Sequence, residues 1–263
     1  MHLSRRQIIA LDRSITPTRL GTYLTVTGGD REYARELYRW DRRLAAAFFA
    51  DIALLEVALR NALNEQLSRR WGPEWYSHQD LLLDDRTARQ LGESWSRVAG
   101  EKTPGRVVAQ CMFGFWAGLL DKGDHAGRQP RRVRCDYEQQ LWRGVLDRAF
   151  PGGRGVARAE SQRWDRRYAH AVVNRINILR NRVAHHEPLI NGYPLPGQQQ
   201  RLLARDGHDD CLRLAAMLDR DLHATLAATS SVPEILDSRP RRPRRGRDAS
   251  AAVRGLLHPS RSR

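Results

Sequence analysis

Arg180, Asn181 and His185 fall within the short segment Arg180-Asn181-Arg182-Val183-Ala184-His185-His186, and together they supply what cleavage of a phosphodiester requires. A guanidinium can bind two non-bridging phosphate oxygens and favour the charge that builds up in the transition state. An imidazole takes or gives a proton near neutral pH. The asparagine amide orients a phosphate or the histidine without adding charge. The set works only if all three side chains face one cleft.

A helix turns about 100° per residue, which sorts the preceding residues into faces. Val172, Ile176, Leu179 and Val183 make a narrow apolar stripe suited to a core. Nearly opposite lie Asn174, Asn177, Asn181 and His185, flanked by Arg180. A solvated face would carry mixed charges, so three asparagines leading to a histidine predict a shared, partly enclosed surface. Glu187-Pro188 closes the helix. His186 falls near the apolar stripe, which predicts packing for it. Adjacent helical histidines point about 100° apart and do not easily ligate one ion, and the HExxH pattern is absent. Neither a metal nor another cofactor is expected.

The string Ile178-Leu179-Arg180-Asn181-Arg182-Val183-Ala184-His185-His186-Glu187-Pro188 resembles the signature of the Abi-like (abortive infection, AbiD/AbiF type) branch of the HEPN superfamily. Two further blocks match the same branch. One is Leu55-Glu56-Val57-Ala58-Leu59-Arg60-Asn61-Ala62 followed by Trp71-Gly72-Pro73-Glu74-Trp75-Tyr76, and the other is Met112-Phe113-Gly114-Phe115-Trp116-Ala117-Gly118-Leu119-Leu120. The blocks occur in the family's order over roughly residues 14–190. The resemblance implies an all-α HEPN-type helical bundle with additional helices. It also implies a metal-independent endoribonuclease in which the RNA's own 2′-hydroxyl attacks phosphorus, at a composite site built by two copies of the chain. Arg180, Asn181 and His185 would be catalytic. Asn174, Asn177, Arg182, Glu56, Arg60 and Asn61 would contact RNA or support the site. The implied setting is phage defence or toxin-type growth arrest, with tRNA or a small structured RNA as partner and an antitoxin or regulatory RNA as a further one. The alternative within the same family is a small-RNA-binding abortive-infection protein that does not cut.

Composition bounds these readings. The chain has 263 residues of which 41% are apolar, enough for one sizeable core. We read residues 1–237 as one helical domain. Residues 238–263 carry nine arginines against one aspartate, more than half of the net charge of +15, and are expected to be a disordered Arg/Pro-rich tail. Such a tail contacts RNA phosphates without reading sequence, or is a solubilising tail or a translated extension. All but Lys102 and Lys122 of the 45 basic residues are arginines, a bias that extends over the whole chain and argues for genome composition more than for phosphate binding. Cys111, Cys135 and Cys211 are scattered and odd in number, against a disulfide framework or zinc motif. No apolar run approaches a membrane span and the first residues lack a signal peptide's apolar segment, so a cytoplasmic protein with no membrane partner is expected.

The remaining pattern is helical with almost no strand signal. Asp30 is expected to cap a long helix whose face runs Tyr33, Leu37, Trp40, Leu44, Phe48, Ile52, Leu55, Leu59, Leu63, Leu67 until Gly72-Pro73. Shorter helices are expected at about 84–98, 104–121 and 134–149, then a signature helix at about 157–186 and a last one at about 207–227. Phe113, Phe115 and Trp116 read first as core aromatics, with base stacking as the alternative. Glu56 and Arg60 are one turn apart, so an intrahelical ion pair is the default. His78 and His170 read as surface or satisfied core histidines. No helix-turn-helix spacing supports DNA binding.

Overall fold

The structure is a computed structural model that describes residues 4–242. It is mostly helical, with eleven α-helices among the described residues and two antiparallel ribbons of two-residue strands, His125–Ala126 with Val133–Arg134 and Tyr193–Pro194 with Arg201–Leu202. No described helix is long and apolar enough to cross a membrane. Most of the arginine-rich tail, from residue 243 onward, lies outside the described residues.

Of the described residues, 4–40 and 239–242 belong to one compact unit and 41–238 to another. The first holds α1 (Arg5–Ser14), α2 (Pro17–Thr27) and the start of α3 (Arg31–Trp71). Ser4 and Gln7 cap α1 reciprocally, and Pro17 opens α2 with a φ already suited to a helix. A bidentate Arg35–Asp12 pair, at 2.6 and 2.8 Å, ties α3 to α1 and holds the Asp12 carboxyl below the usual carboxylate range.

The second unit begins partway along α3. That helix ends where Gly72 takes a φ of +86°, as the Gly-Pro signal required. Leu44, Phe48, Ile52, Leu55, Leu59, Leu63 and Leu67 are all at most 2% exposed, each contributing roughly 1.5–3 kcal/mol by burial. Next come α4 (Asp85–Arg97), α5 (Pro104–Gln110), α6 (Phe113–Leu119), α7 (Gly153–Ala159), α8 (Arg166–Ala184), α9 (Ala204–Leu218), α10 (Arg220–Thr229) and α11 (Val232–Asp237). α9 packs on α7, α8, α10 and α11, while α8 also packs on α6.

Several expected helices divide, three of them at a polar side chain that restarts the backbone hydrogen bonding and one at a glycine. The expected 104–121 helix breaks into α5 and α6 because Glu56 Oε1 accepts the Phe113 N–H at 2.9 Å and Cys111 O accepts the Trp116 indole at 3.1 Å. The 134–149 segment is a π-helical turn, Glu138–Trp142, and a 3-10 turn, Leu146–Ala149, separated by Gly144 at φ +77°. The signature helix begins at Arg166 and not near 157, since Asp165 caps a fresh start by accepting the Tyr168 N–H at 2.9 Å. Asp219 similarly divides the last expected helix, accepting the N–H groups of Asp221 and Leu222 at 2.7 and 2.8 Å.

The buried His208 and the half-buried His170 make stability depend on pH. His208 is 6% exposed, its Nδ1 has no hydrogen-bond partner, and it lies 3.9 Å from the buried Asp51, whose other partner is the Ser230 hydroxyl at 2.6 Å. Burial lowers the pKa of His208 and of His170 below 6.5, with Asp51 and Asp121 respectively opposing the shift. Burial raises Asp51 above the usual carboxylate range, with the Ser230 hydroxyl and His208 opposing that shift. A histidine with a depressed folded pKa contributes stability that is fully present above 6.5 and is lost as pH falls through the folded value. Asp51 acts in the opposite direction. Denaturant unfolding is therefore expected to show His208→Gln narrowing the stability loss between pH 7.5 and about pH 5; an unchanged difference would remove His208 from the explanation.

Candidate active site

α8 carries the candidate residues. Val172, Ile176, Leu179 and Val183 are all buried, as their spacing required. Its last turn closes in a Schellman arrangement: His186 N–H donates to Val183 O at 3.0 Å and Glu187 N–H to Arg182 O at 2.8 Å. His185 is the cap residue, its N–H bonded to Asn181 O at 2.9 Å. His186 occupies the left-handed position at φ +56° and is exposed, which corrects the expectation that it packs in the core. Glycine normally fills this position, and a side chain there costs about 1–2 kcal/mol. Strain of this kind is concentrated at functional sites.

Asn181 and His185 are exposed on one end of α8, one turn apart. Arg180 is partly buried, with its Nε 3.8 Å from Glu56 Oε2 and both side chains about one fifth exposed, 21% and 23%. Glu56 therefore links three elements: it sits on α3, accepts the first N–H of α6 and faces Arg180 on α8. This replaces the expected intrahelical pair with Arg60, whose Nε points instead to Asn61 Oδ1 at 3.5 Å. A carboxylate so held fixes the guanidinium's position while one or more of its N–H groups stay free for a ligand.

The asparagine stripe is only partly open. Asn174 and Asn177 are half-buried, and a Cβ at Gly114 would lie 3.6 Å from Asn177 Oδ1 and 3.9 Å from Gln90 Nε2. Gly114 and Gly118 thus let polar side chains of α4 and α8 lie directly on α6. Arg182 is bound by its own chain: NH1 meets Glu187 Oε2 at 2.9 Å and NH2 donates to Pro188 O at 3.5 Å. It holds the turn after His186. Phe113, Phe115 and Trp116 are at most 1% exposed, and Phe115 and Trp116 pack against Trp75 in the core, leaving no face for a base.

Sequence reasoning missed two features beside Glu56. Arg97 donates to Met112 Sδ at 3.4 Å, and both Arg97 and Arg60 pull down the Cys111 thiol, which burial nevertheless pushes up to about 11. Arg97 thus lies beside the residue that precedes α6, the helix whose first N–H Glu56 accepts. The second feature is an exposed apolar stripe on α3: Ala46, Ala50, Ala53 and Val57 at spacings of four, three and four, with Phe49 and Leu54 beside them. Phe49 is 55% exposed, Val57 43% and Leu54 40%. Glu56 and Arg60 border this stripe. The signal was present, because the helix is apolar around most of its circumference from Leu44 to Leu59, more than one buried face explains.

Among the described residues no group of three His, Cys, Asp or Glu side chains is arranged to hold a metal ion. Comparison of the chain with protein-family models, with curated proteins and with solved structures finds no match.

Proposed function

We propose that this chain is an Abi-like protein of the HEPN type and a metal-independent endoribonuclease, acting as a homodimer in phage defence or toxin-type growth arrest. The observation that carries the reading is the grouping at the exposed end of α8: Asn181 and His185 in the open, and Arg180 fixed by Glu56 beside them.

In the reaction, an RNA 2′-hydroxyl gives its proton to an imidazole as its oxygen attacks the neighbouring phosphorus. The P–O5′ bond breaks, and the departing 5′-oxygen takes a proton from a second imidazole. The products are a 2′,3′-cyclic phosphate and a 5′-hydroxyl end. Arg180 binds the non-bridging oxygens, whose negative charge rises most in the transition state. Asn181 orients the phosphate or the imidazole. One chain offers one suitably placed His185, whereas acid and base are two tasks. A two-fold axis beside the α3 stripe supplies the second copy and covers Phe49, Leu54 and Val57, which are otherwise left to water.

The test is incubation with a short RNA in excess chelator. Fragments ending in 2′,3′-cyclic phosphate, with a 2′-O-methyl RNA left whole, are expected. No cleavage, together with a uniform RNA that stays bound, would replace the nuclease by the RNA-binding alternative.

A further inference from the structure

Outside the α8 site, the C-terminal end of α3 and the loop between the π-helical and 3-10 turns enclose a cavity of about 200 Å³ lined by Gln66, Arg69, Arg70, Gly144, Val145 and Arg148. Its charge is one-sided. No carboxylate lines it, and the one acidic neighbour that pairs with the set is Glu65, bound to Arg69. Arg70 leans over the Trp71 ring at 5.8 Å, and Arg148 has no ion-pair partner among the described residues. The larger cavity of about 500 Å³ at the start of α8 is different: its Arg175 and Arg213 are already paired with Asp210 and Glu160.

Gln66 supplies the second observation. It is 8% exposed, lines the cavity, and its amide has no hydrogen-bond partner among the described residues. An amide that its own chain leaves unpaired and that lines the cavity is available to a ligand there. Two arginines in the last turn of a helix also offset its dipole, but that role explains neither Arg148, which comes from another element, nor Gln66.

We propose that Gln66, Arg69, Arg70 and Arg148 form a binding site for a phosphate group, distinct from the residues around His185. Guanidinium forks match the oxygens of a phosphate, and the Gln66 amide N–H completes the donor set. Along α3, Gln66 lies ten residues beyond Glu56, about 15 Å, so a single RNA strand could place one phosphodiester here and another at Arg180. The site itself does not depend on cleavage, because these residues line the cavity whether or not His185 cuts.

Binding of inorganic phosphate and of a 2′-O-methyl oligoribonucleotide, which 2′-hydroxyl chemistry cannot cut, separates the sources. Arg70→Gln with Arg148→Gln is expected to weaken binding by about tenfold or more, and Gln66→Leu by a smaller factor. For the oligonucleotide, the salt slope should fall by about 0.7 for each arginine removed. Weakening of the oligonucleotide alone assigns the site to RNA backbone; weakening of inorganic phosphate assigns it to a free phosphate group. Arg128→Gln with Arg131→Gln, two exposed arginines elsewhere, is the charge control. Equal weakening by the control pair, no effect of Gln66→Leu, or no binding of either probe by the wild-type chain would overturn the proposal. Arg70 and Arg148 are exposed, so the paired variant should fold.

Discussion

His185→Ala is expected to lower RNA cleavage by about two to four orders of magnitude, the range associated with removal of a general acid or base. In a composite site the change removes both imidazoles at once, which favours the upper end. The side chain is exposed at a helix cap, and substitutions at such positions normally change stability by no more than about 0.5 kcal/mol. Unfolding should therefore be nearly unaltered and RNA should still bind through Arg180 and Asn181. His186→Gly distinguishes the two neighbours. It relieves the left-handed strain, should raise stability by roughly 1 kcal/mol, and should leave cleavage in place. Cleavage by His185→Ala at the wild-type rate, or its transfer to dependence on His186, would assign the proton transfers elsewhere.

Asp210→Ala should be the most destabilising of these changes. The Asp210 carboxylate is 3% exposed and accepts from Arg175 Nε and NH2 at 2.7 and 2.6 Å, with Arg213 as a third donor. Arg175 lies on α8 and Asp210 on α9, so this pair fixes the helix that carries the candidate residues to the helix that packs on α7, α8, α10 and α11. Removing one partner of a buried pair leaves an uncompensated charge, at a cost of about 3–5 kcal/mol. Both arginines retain partial exposure, 27% and 23%, and Arg213 keeps Glu160, which places the expected loss near 3 kcal/mol. Denaturant midpoints measure it directly. A loss below about 1 kcal/mol would show that apolar packing between α8 and α9 holds the helix without the ion pair.

The long-range pattern was easier to read from the sequence than the local breaks. α3 and the buried stripe of α8 follow from apolar spacing and from Gly72-Pro73, because each depends on periodicity sustained over many residues. The divisions at Cys111-Met112, at 160–165 and at Asp219 rest on single polar side chains. Glu56 reaches the start of α6 from 57 residues away, and no window along the chain contains both partners. Asp165 and Asp219 were readable in principle, since each is a capping residue at a helix start. The periodic pattern around them concealed the stop.

The candidate site divides the same way. Arg180, Asn181 and His185 could be placed on one helix end from spacing alone. Their relation to Glu56 is tertiary, and local spacing favoured Arg60 as its partner. Arg182, read from the sequence as contacting RNA or supporting the site, is held by Glu187 and Pro188 after the chain turns back at His186. α1 and α2 carried weaker signals, short and with few buried positions.

Sedimentation of the purified chain, with RNA cleavage assayed across the same fractions, tests the composite site most directly when Val57→Glu is run beside the wild type. The charge falls at the C-terminal end of the exposed α3 stripe, on a residue 43% exposed, so the subunit should remain folded. The wild type is expected to sediment as a dimer with activity in that peak, and Val57→Glu as a folded monomer that binds RNA but does not cut it. A wild-type monomer that cleaves RNA, or a Val57→Glu monomer with full activity, would contradict a site made from two copies.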